Sequence, residues 1–333
     1  MPVKHADVKR KKSLKILLFG GYGSGKTHFA LKATPGSTLI FDAESGADFF
    51  EGKKGFDFDY WTDDNGLKTA SIKELNKAID YLQSDEGNSK YKTFIIDPIS
   101  DIWDSIQEQR AEYKDNKAKD KGKNIEERNE AELESFNVKD WGDMKRIYKG
   151  LMLRLKNLPQ NVILVAREKE ISETKADGSL VRTGEYTYDA EKSTGYATDF
   201  AVRIIFDEKK NKRWAHISKT RSDGLEMGEK VDNPTFALFE KVVNSMDGGK
   251  DVTKLSTMHE NIFTEPDELK ELKEKIIELA TRLGGSKNLE MMTVLKEIEP
   301  SGNPKKIKDL ETLQKLFDAL SNVKPLEEEK KEE

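Results

Sequence analysis

The chain lacks cysteine and any long apolar run. None of its 333 residues is Cys, which excludes disulfides, thiolate metal sites and a cysteine nucleophile. No apolar stretch reaches the roughly 18 residues that a membrane helix needs, and the first residues, MPVKHADVKRKKSL, lack the apolar segment of a secretory signal. The four histidines do not have the spacing of metal ligands. These absences predict a cytoplasmic protein that does not associate with a membrane.

Positive and negative charges nearly balance, but they are unevenly placed. The chain has 57 Lys and Arg against 62 Asp and Glu, a net charge of -5. Residues 1–15 contain six basic residues and one acidic residue, whereas residues 246–333 contain 15 basic and 20 acidic residues. We expect residues 1–12 to form a basic flexible arm, which either reaches a phosphate backbone or is merely a solvated tail. Residues 1–245 together are neutral, and a neutral core does not by itself indicate nucleic acid.

Short apolar runs alternate with helical patterns in the first half of the chain. Residues 72–83 and 141–158 have helical periodicity, and four runs have the look of buried strands: LKILLF (14–19), STLIFD (37–42), KTFIID (92–97) and NVILVA (161–166). This alternation predicts an α/β fold with a mainly parallel sheet and crossover helices. Beyond residue 170, extended runs around turn residues predict an antiparallel extension of that sheet.

Composition divides the chain into segments. We expect a core over residues 13–245, and within it an exposed helical insertion at 107–140, where 18 of 34 residues are charged. A polar linker (246–263) is predicted to precede a small helical module (264–324) and a disordered tail (325–333). Thr264, Pro266 and Asp267 resemble the N-terminal cap of the module's first helix.

One motif carries chemistry. Residues 20–27, GGYGSGKT, fit G-x-x-x-x-G-K-[ST], in which a glycine loop lets successive backbone N–H groups point at phosphates. Lys26 is expected to reach the β- and γ-phosphates and Thr27 to ligate Mg²⁺. The alternative is a tight glycine turn without a ligand. The predicted cofactors are therefore ATP and Mg²⁺, and the predicted nucleotide-binding residues are Gly20, Gly21, Tyr22, Gly23, Ser24, Gly25, Lys26, Thr27 and His28.

Carboxylates after two other predicted strands complete a candidate site. Asp97 ends the run TFIID, where a P-loop protein needs a carboxylate to hold its metal, although a turn Asp before Pro98 would look the same. A base is also needed to deprotonate the attacking water. Glu44 follows the strand STLIFD and is our candidate, with Asp42 as the competitor.

The set GGYGSGKT, TLIFDAES, TFIIDPISD, NVILVAREKE and HISKTRSDG resembles the phage-encoded RecA-like nucleotide-binding ATPases that are associated with single-strand annealing recombination. The resemblance covers about residues 13–240. It implies a RecA-like P-loop core, ATP hydrolysis and assembly of a homo-oligomer, as a ring or a filament, on single-stranded DNA. It also implies cooperation with a single-strand-binding or annealing protein, for which the module at 264–324 is the candidate surface.

The resemblance also suggests roles for individual residues. In ring-forming ATPases of the DnaB helicase class, a K-x-R pair after the last core strands points into the neighbour's nucleotide site, which Lys219 and Arg221 match; the alternative is a solvated strand edge. A Glu after the second core strand activates water in that class, which matches Glu44. Where many RecA-like proteins carry a Gln or His as γ-phosphate sensor, this chain has Arg167 and Glu168.

Several functions remain open at this point. The first is a DNA-stimulated ATPase of phage recombination, with a DNA-contacting hairpin at 170–188 and its nearby cations Lys169, Lys175 and Arg182. The second is another ATP-driven nucleic-acid motor or helicase-type loader. A small-molecule P-loop kinase and a nucleotide-gated scaffold without hydrolysis are further alternatives.

Overall fold

The computed structural model describes residues 10–120, 136–175, 178–245, 250–251, 267–307 and 309–325. The chain divides into two compact units, Met1–Thr257 and Met258–Glu333. The boundary between the units falls inside the segment that the sequence predicts to be a linker. Within the described part of the chain, no helix is both long enough and apolar enough to cross a membrane.

A mixed sheet forms the centre of the first unit. Its neighbouring strands run in the order β10-β9-β8-β2-β6-β5-β3-β4, and β7 pairs with β6. All pairings along this order from β8 to β4 are parallel, whereas the pairings of β6 with β7, of β8 with β9 and of β9 with β10 are antiparallel. The predicted parallel sheet with an antiparallel extension is therefore confirmed. The strands are β1 (Arg10–Lys11), β2 (Lys15–Gly20), β3 (Thr38–Asp42), β4 (Asp59–Tyr60), β5 (Thr93–Asp97), β6 (Asn161–Thr174), β7 (Leu180–Asp189), β8 (Phe200–Asp207), β9 (Lys212–Lys219), β10 (Lys230–Asp232) and β11 (Lys250–Asp251).

Helices cover both faces of the sheet, which explains why its central strands are continuous apolar runs. Along β2, Leu17 and Phe19 belong to the core cluster beneath α2, α4 and α5. Ile16 and Leu18 belong to the opposite cluster, with α1 and the start of α7. The helices of this unit are α1 (Lys26–Leu31), α2 (Ile72–Gln83), α3 (Asp85–Lys90), α4 (Ile99–Asp120), α5 (Val138–Asn157), α6 (Thr194–Ala197) and α7 (Glu240–Ser245), with 3₁₀ turns at Asp48–Phe50 and Phe236–Phe239.

The strand order determines which loops meet. β6 lies between β2 and β5, and β5 is followed by β3. The carboxyl ends of these parallel strands share one edge of the sheet, at Gly20, Arg167, Asp97 and Asp42. The residues that follow these four strands therefore form one site.

The two described ends of the charged segment 107–140 each belong to a helix of the first unit. Its first part continues α4, and its end, from Asn137, caps and begins α5. Arg110 donates to the buried carboxylate of Asp140 at 2.7 Å and thereby joins the two helices. Among the residues of this segment whose burial is described, only Asp140 is buried. The expectation of an exposed helical insertion stays a prediction for residues 121–135, which lie outside the described residues.

The structure describes residues 10–12 of the predicted basic arm. Arg10–Lys11 pairs in parallel with Lys250–Asp251 in a two-stranded sheet. Lys12 forms an ion pair with Asp199, which is almost fully buried. Residues 10–12 therefore contact the first unit, while residues 1–9 lie outside the described residues and their flexibility stays a prediction.

The described residues of the second unit form three α-helices with a core of their own: α8 (Asp267–Arg282), α9 (Leu289–Ile298) and α10 (Leu310–Ser321). Ile276 and Leu283 pack with Leu313 and Leu316 in a single apolar cluster. Asn288 accepts from the N–H of Met291 to cap α9 and donates to two carbonyls. The predicted helical spacing is thus observed, whereas the proposed cap residues Thr264 and Pro266, and residues 326–333 of the predicted tail, lie outside the described residues.

Candidate nucleotide-binding site

The glycine-rich loop between β2 and α1 requires glycine at its fixed positions. A Cβ atom on Gly20 would lie 2.1 Å from the carbonyl oxygen of Ile204, so no side chain fits there. Gly25 has a φ of 96°, in the left-handed region that glycine adopts without strain. The motif glycines therefore permit a tight backbone path next to β8.

Lys26 begins α1 and folds back over the loop. Its Nζ donates to the carbonyl oxygens of Gly20 and Gly21, at 2.9 Å each. Burial lowers the pKa of Lys26, while the nearby carboxylate of Asp97 opposes this shift. Inside the loop, Ser24 Oγ is buried and makes no hydrogen bond within the described residues. A lysine that caps the loop and a buried polar atom without a partner both fit a loop that binds phosphates.

Two members of the predicted nucleotide-binding set, Tyr22 and His28, have side chains on the outer side of the loop or beside α1. Tyr22 is 97% exposed at the tip of the loop. The ring of His28 packs edge-on against Phe50 and Phe56, with centroid distances of 5.8 and 5.3 Å. The side chain of His28 is therefore part of an aromatic cluster beside α1, and its contact with a nucleotide stays a prediction.

Thr27 and Asp97 meet directly. Thr27 Oγ1 donates to Asp97 Oδ2 at 2.7 Å. Burial raises the pKa of Asp97 to about 7, and the hydrogen bond from Thr27 opposes this shift. A divalent cation beside this carboxylate would favour its charged form, and oxygen atoms are the ligands that Mg²⁺ prefers. Thr27 and Asp97 therefore fit the predicted metal site.

The surroundings of Asp42 distinguish the two candidate bases. Its buried carboxylate accepts from the N–H groups of Gly46 and Ala47, each at 3.2 Å, and from Lys68 Nζ at 3.0 Å. These contacts shape the loop that carries Glu44. Because the carboxylate oxygens of Asp42 already accept hydrogen bonds from its own loop and from Lys68, the geometry favours Glu44 as the base.

The side chain of Glu44 is about half exposed and forms an ion pair with Arg167. The same guanidinium contacts Asp101 Oδ1 at 2.6 Å. The backbone N–H of Arg167 donates to Ser100 Oγ at 3.0 Å, which fixes the residue where β6 passes the end of β5. Arg167, one of the two residues at the place where the resemblance leads us to expect a sensor, thus contacts the candidate base directly.

Sequence reasoning missed two arginines next to the loop. Arg213 on β9 donates to the carbonyl oxygens of Ser24 and Gly23, at 3.1 and 3.4 Å. Arg203 on β8 donates to Glu168 Oε2 at 2.8 Å. Neither lies in a recognisable motif, because strand pairing alone brings β8 and β9 to the P-loop. The only sequence signal is the presence of cations in strands that otherwise bury apolar residues.

Lys219 and Arg221 lie at the opposite edge of the sheet. Lys219 pairs with Ala201, which pairs with Leu17, and Arg221 contacts Asp199 at 3.5 Å. Leu17 lies three residues before Gly20, about 10 Å at the usual rise per residue, and Asp199 bonds to Lys15 at the start of β2. The structure therefore does not bring these two residues to the P-loop of their own chain.

Lys219 is held by the fold at that edge. Its Nζ donates to the carbonyl oxygen of Gly195 at 2.5 Å and to that of Thr198. Burial lowers the pKa of Lys219, as does the charge of Arg221. Of the two cations, Arg221 is thus the more available to a second molecule.

The long hairpin of β6 and β7 extends beyond the sheet, but its charge does not favour DNA. Residues 168–188 contain five acidic and three basic residues. Lys169 forms an ion pair with Asp189 at 2.8 Å, and Arg182 forms one with Glu170 at 3.6 Å. The cations that the sequence offers to a phosphate backbone are therefore largely balanced by neighbouring carboxylates.

The fold and the site define a P-loop protein with an α/β core. Residues 12–223 match the AAA_24 family, which is described as an AAA domain. The chain belongs to this family. No curated protein sequence matches it.

Two solved structures are similar in fold. The RadB recombinase is 15% identical, with a TM-score of 0.40 over 73% of this chain and 93% of that chain. A KaiC-like protein from the hyperthermophilic archaeon Pyrococcus horikoshii OT3 is 19% identical, with a TM-score of 0.38 over 68% of this chain and 100% of that chain.

Proposed function

We propose that the protein binds ATP with Mg²⁺ and hydrolyses it. The observation that carries this proposal is the 2.7 Å hydrogen bond between Thr27 Oγ1 and Asp97 Oδ2, because it joins the hydroxyl and the carboxylate that would hold the metal at the end of the P-loop. When bound, Mg²⁺ would neutralise charge on the transferring phosphoryl group. Membership of the AAA_24 family supports the same conclusion.

The residues of the site have distinct roles in this proposal. The loop N–H groups donate to phosphate oxygens, and Lys26 exchanges the carbonyls of Gly20 and Gly21 for oxygens of the β- and γ-phosphates. Glu44 accepts the proton of the attacking water. Arg167 and the loop shaped by Asp42 position the carboxylate of Glu44.

Steady-state hydrolysis of ATP, measured with and without Mg²⁺, tests the activity. We expect phosphate release in the unmodified protein and none in Lys26→Ala, since the loop loses its cation against the β- and γ-phosphates. Lys32→Ala is the matched control, because Lys32 lies at the end of the same helix and stacks on Phe56. Equal turnover in the unmodified protein and Lys26→Ala would overturn the proposal.

The nucleic-acid partner that we propose is single-stranded DNA, in phage recombination or annealing within the host cytoplasm. The resemblance of the motif set and the basic arm support it, whereas the charge of the hairpin at 170–188 does not. Binding through the arm would be mainly to phosphates and so fall steeply with salt. Deleting residues 1–9 should then reduce the salt dependence of DNA affinity while the anchored residues 10–12 remain.

Hydrolysis with and without single-stranded DNA separates this proposal from its alternatives. Stimulation favours the recombination ATPase or another nucleic-acid motor. Unchanged hydrolysis at a salt concentration where the DNA is bound would contradict DNA coupling. Phosphate transfer from ATP to a nucleoside or metabolite would instead identify a small-molecule kinase.

We also propose a homo-oligomer in which Lys219 and Arg221 face the nucleotide site of a neighbouring chain. Support comes from their position at the edge opposite the P-loop, where they are remote from their own site.

For the unit of residues 258–333, we propose docking of a single-strand-binding or annealing protein. Its independent apolar core and the acidic excess of the chain's end support this role. Co-sedimentation of a purified single-strand-binding protein with the full chain, and with a chain that ends at residue 257, tests it.

A further inference from the structure

The carbonyl side of the P-loop has its own partner. A loop that points its N–H groups at phosphates must turn its carbonyl oxygens outward, where they need other donors. Arg213 Nε donates to Ser24 O at 3.1 Å, and Arg213 Nη2 donates to Gly23 O at 3.4 Å. One guanidinium group therefore bridges the carbonyls of two successive loop residues.

Arg213 is itself held in place by the sheet. On β9 it pairs across the strands with Phe206 of β8, and its guanidinium carbon lies 4.7 Å from the centroid of that ring. Arginine is attracted to the face of an aromatic ring. Because β8 also pairs with β2, which leads into the P-loop, the bridge connects the loop to its own sheet.

The same contact explains a feature of the loop. A Cβ atom on Gly25 would lie 3.0 Å from Arg213 Nε and 3.2 Å from Arg213 Cδ. Gly25 thus provides both a φ of 96° and the room that Arg213 needs. Arg213 therefore lies against the position where any residue other than glycine would carry its Cβ atom.

We propose that Arg213 is a positioning residue for the nucleotide. By holding the carbonyls of Gly23 and Ser24 outward, it keeps the N–H groups of the loop directed at the phosphates. This inference depends on the proposed function, because it assumes that the loop binds a nucleotide. The N–H groups of the loop serve diphosphate and triphosphate alike. Loss of Arg213 should therefore lower the affinities for ADP and ATP equally and leave the rate of the chemical step unchanged.

The test compares Arg213→Met, Arg213→Lys and the control Lys212→Met in the full chain. Lys212 is the exposed cation that precedes Arg213 on β9, so its removal changes the charge by the same amount. Affinities for ADP and ATP are measured by calorimetry, together with kcat and KM for hydrolysis. For Arg213→Met we expect both affinities to fall about tenfold, as for two lost charge-assisted hydrogen bonds, with kcat changed by less than about twofold.

The conservative variant provides a further readout. Arg213→Lys keeps the charge but loses the planar fork, so its affinities should lie between those of the unmodified protein and Arg213→Met. Lys212→Met should bind both nucleotides normally. Thermal unfolding without nucleotide identifies any variant that fails to fold, and Arg213→Lys then decides the question alone.

Specific results would overturn the inference. One is unchanged nucleotide affinity in a folded Arg213→Met protein, or in Arg213→Lys if only that variant folds. A loss of affinity for ATP but not for ADP would make Arg213 a direct contact of the γ-phosphate. An equal loss of affinity in Lys212→Met would show a general charge effect. If the unmodified protein binds neither nucleotide, it is the proposed function that fails.

Discussion

Thr27 Oγ1 donates a 2.7 Å hydrogen bond to Asp97 Oδ2, although 70 positions separate the two residues in the sequence. The strand order explains their meeting, because β2 and β5 flank β6 and end at the same edge of the sheet. The glycine loop then turns back so that α1 begins at Lys26, next to the end of β5. Asp97 is almost fully buried there, so its contacts are few and specific.

We predict that Asp97→Asn removes the dependence of nucleotide affinity on Mg²⁺ and lowers hydrolysis by at least about 100-fold, since metal stabilisation of the phosphoryl group is worth several kcal/mol. Thr27→Ser, which keeps the hydroxyl group, should retain Mg²⁺-dependent binding. Titrations of ADP with and without Mg²⁺ measure the first effect. Undiminished Mg²⁺ dependence in Asp97→Asn would exclude Asp97 from the metal site.

A second prediction separates the two candidate bases. Glu44→Gln should keep ATP bound and slow hydrolysis by about 10²- to 10⁴-fold, the range typical of a lost general base. Asp42→Asn should instead weaken the loop contacts to Gly46, Ala47 and Lys68 and lower the unfolding temperature. Single-turnover hydrolysis and thermal unfolding of both variants provide the comparison. Slow hydrolysis with normal stability in Asp42→Asn, but not in Glu44→Gln, would reverse the assignment.

The motifs and apolar runs predicted much of this core. Helix α2 has the predicted bounds, and the four predicted strands are present, with β6 extending eight residues further than predicted, to Thr174. Local patterns suffice here because a buried parallel strand needs a continuous apolar run and a P-loop needs its glycines.

What the sequence did not predict depends on long-range pairing. Arg213 reaches the P-loop only because β9 pairs with β8 in one particular register. The position of Arg221 at the opposite edge follows from the same register. A single sequence contains no direct sign of register in such strands. The ion pair of Arg110 with Asp140 likewise joins two helices, and the mixed charge of residues 107–140 does not indicate it.

A third prediction concerns assembly. If Arg221 acts on a neighbour's nucleotide, Arg221→Ala should bind ATP normally and lose most turnover, because a cation near the γ-phosphate stabilises the transition state. Mixing Arg221→Ala with Lys26→Ala protein should recover hydrolysis that neither variant shows alone, since some interfaces then pair two intact partners. Normal turnover of Arg221→Ala by itself would assign the pair to a solvated strand edge. Inactive mixed assemblies, with mixing demonstrated by a tag on one variant, would also contradict the trans role.

The last prediction concerns Lys15, a lysine only 3% exposed at the start of β2. Its Nζ donates to Ser13 Oγ, Leu158 O and Gln160 O at 2.7, 2.8 and 2.6 Å. Burial lowers the pKa of Lys15 to about 7, and Asp199 opposes this shift.

Between pH 7 and about 10 the unfolded chain therefore keeps a proton that the folded chain releases. The free energy of unfolding should then rise with pH in this window, by at most about 1.4 kcal/mol per pH unit from this group. Lys15→Met removes the titrating group, so denaturant unfolding of both proteins at pH 7, 8, 9 and 10 should show a smaller slope for the variant. The difference between the two slopes isolates Lys15 from all other groups, and equal slopes would show that Lys15 stays protonated in the fold.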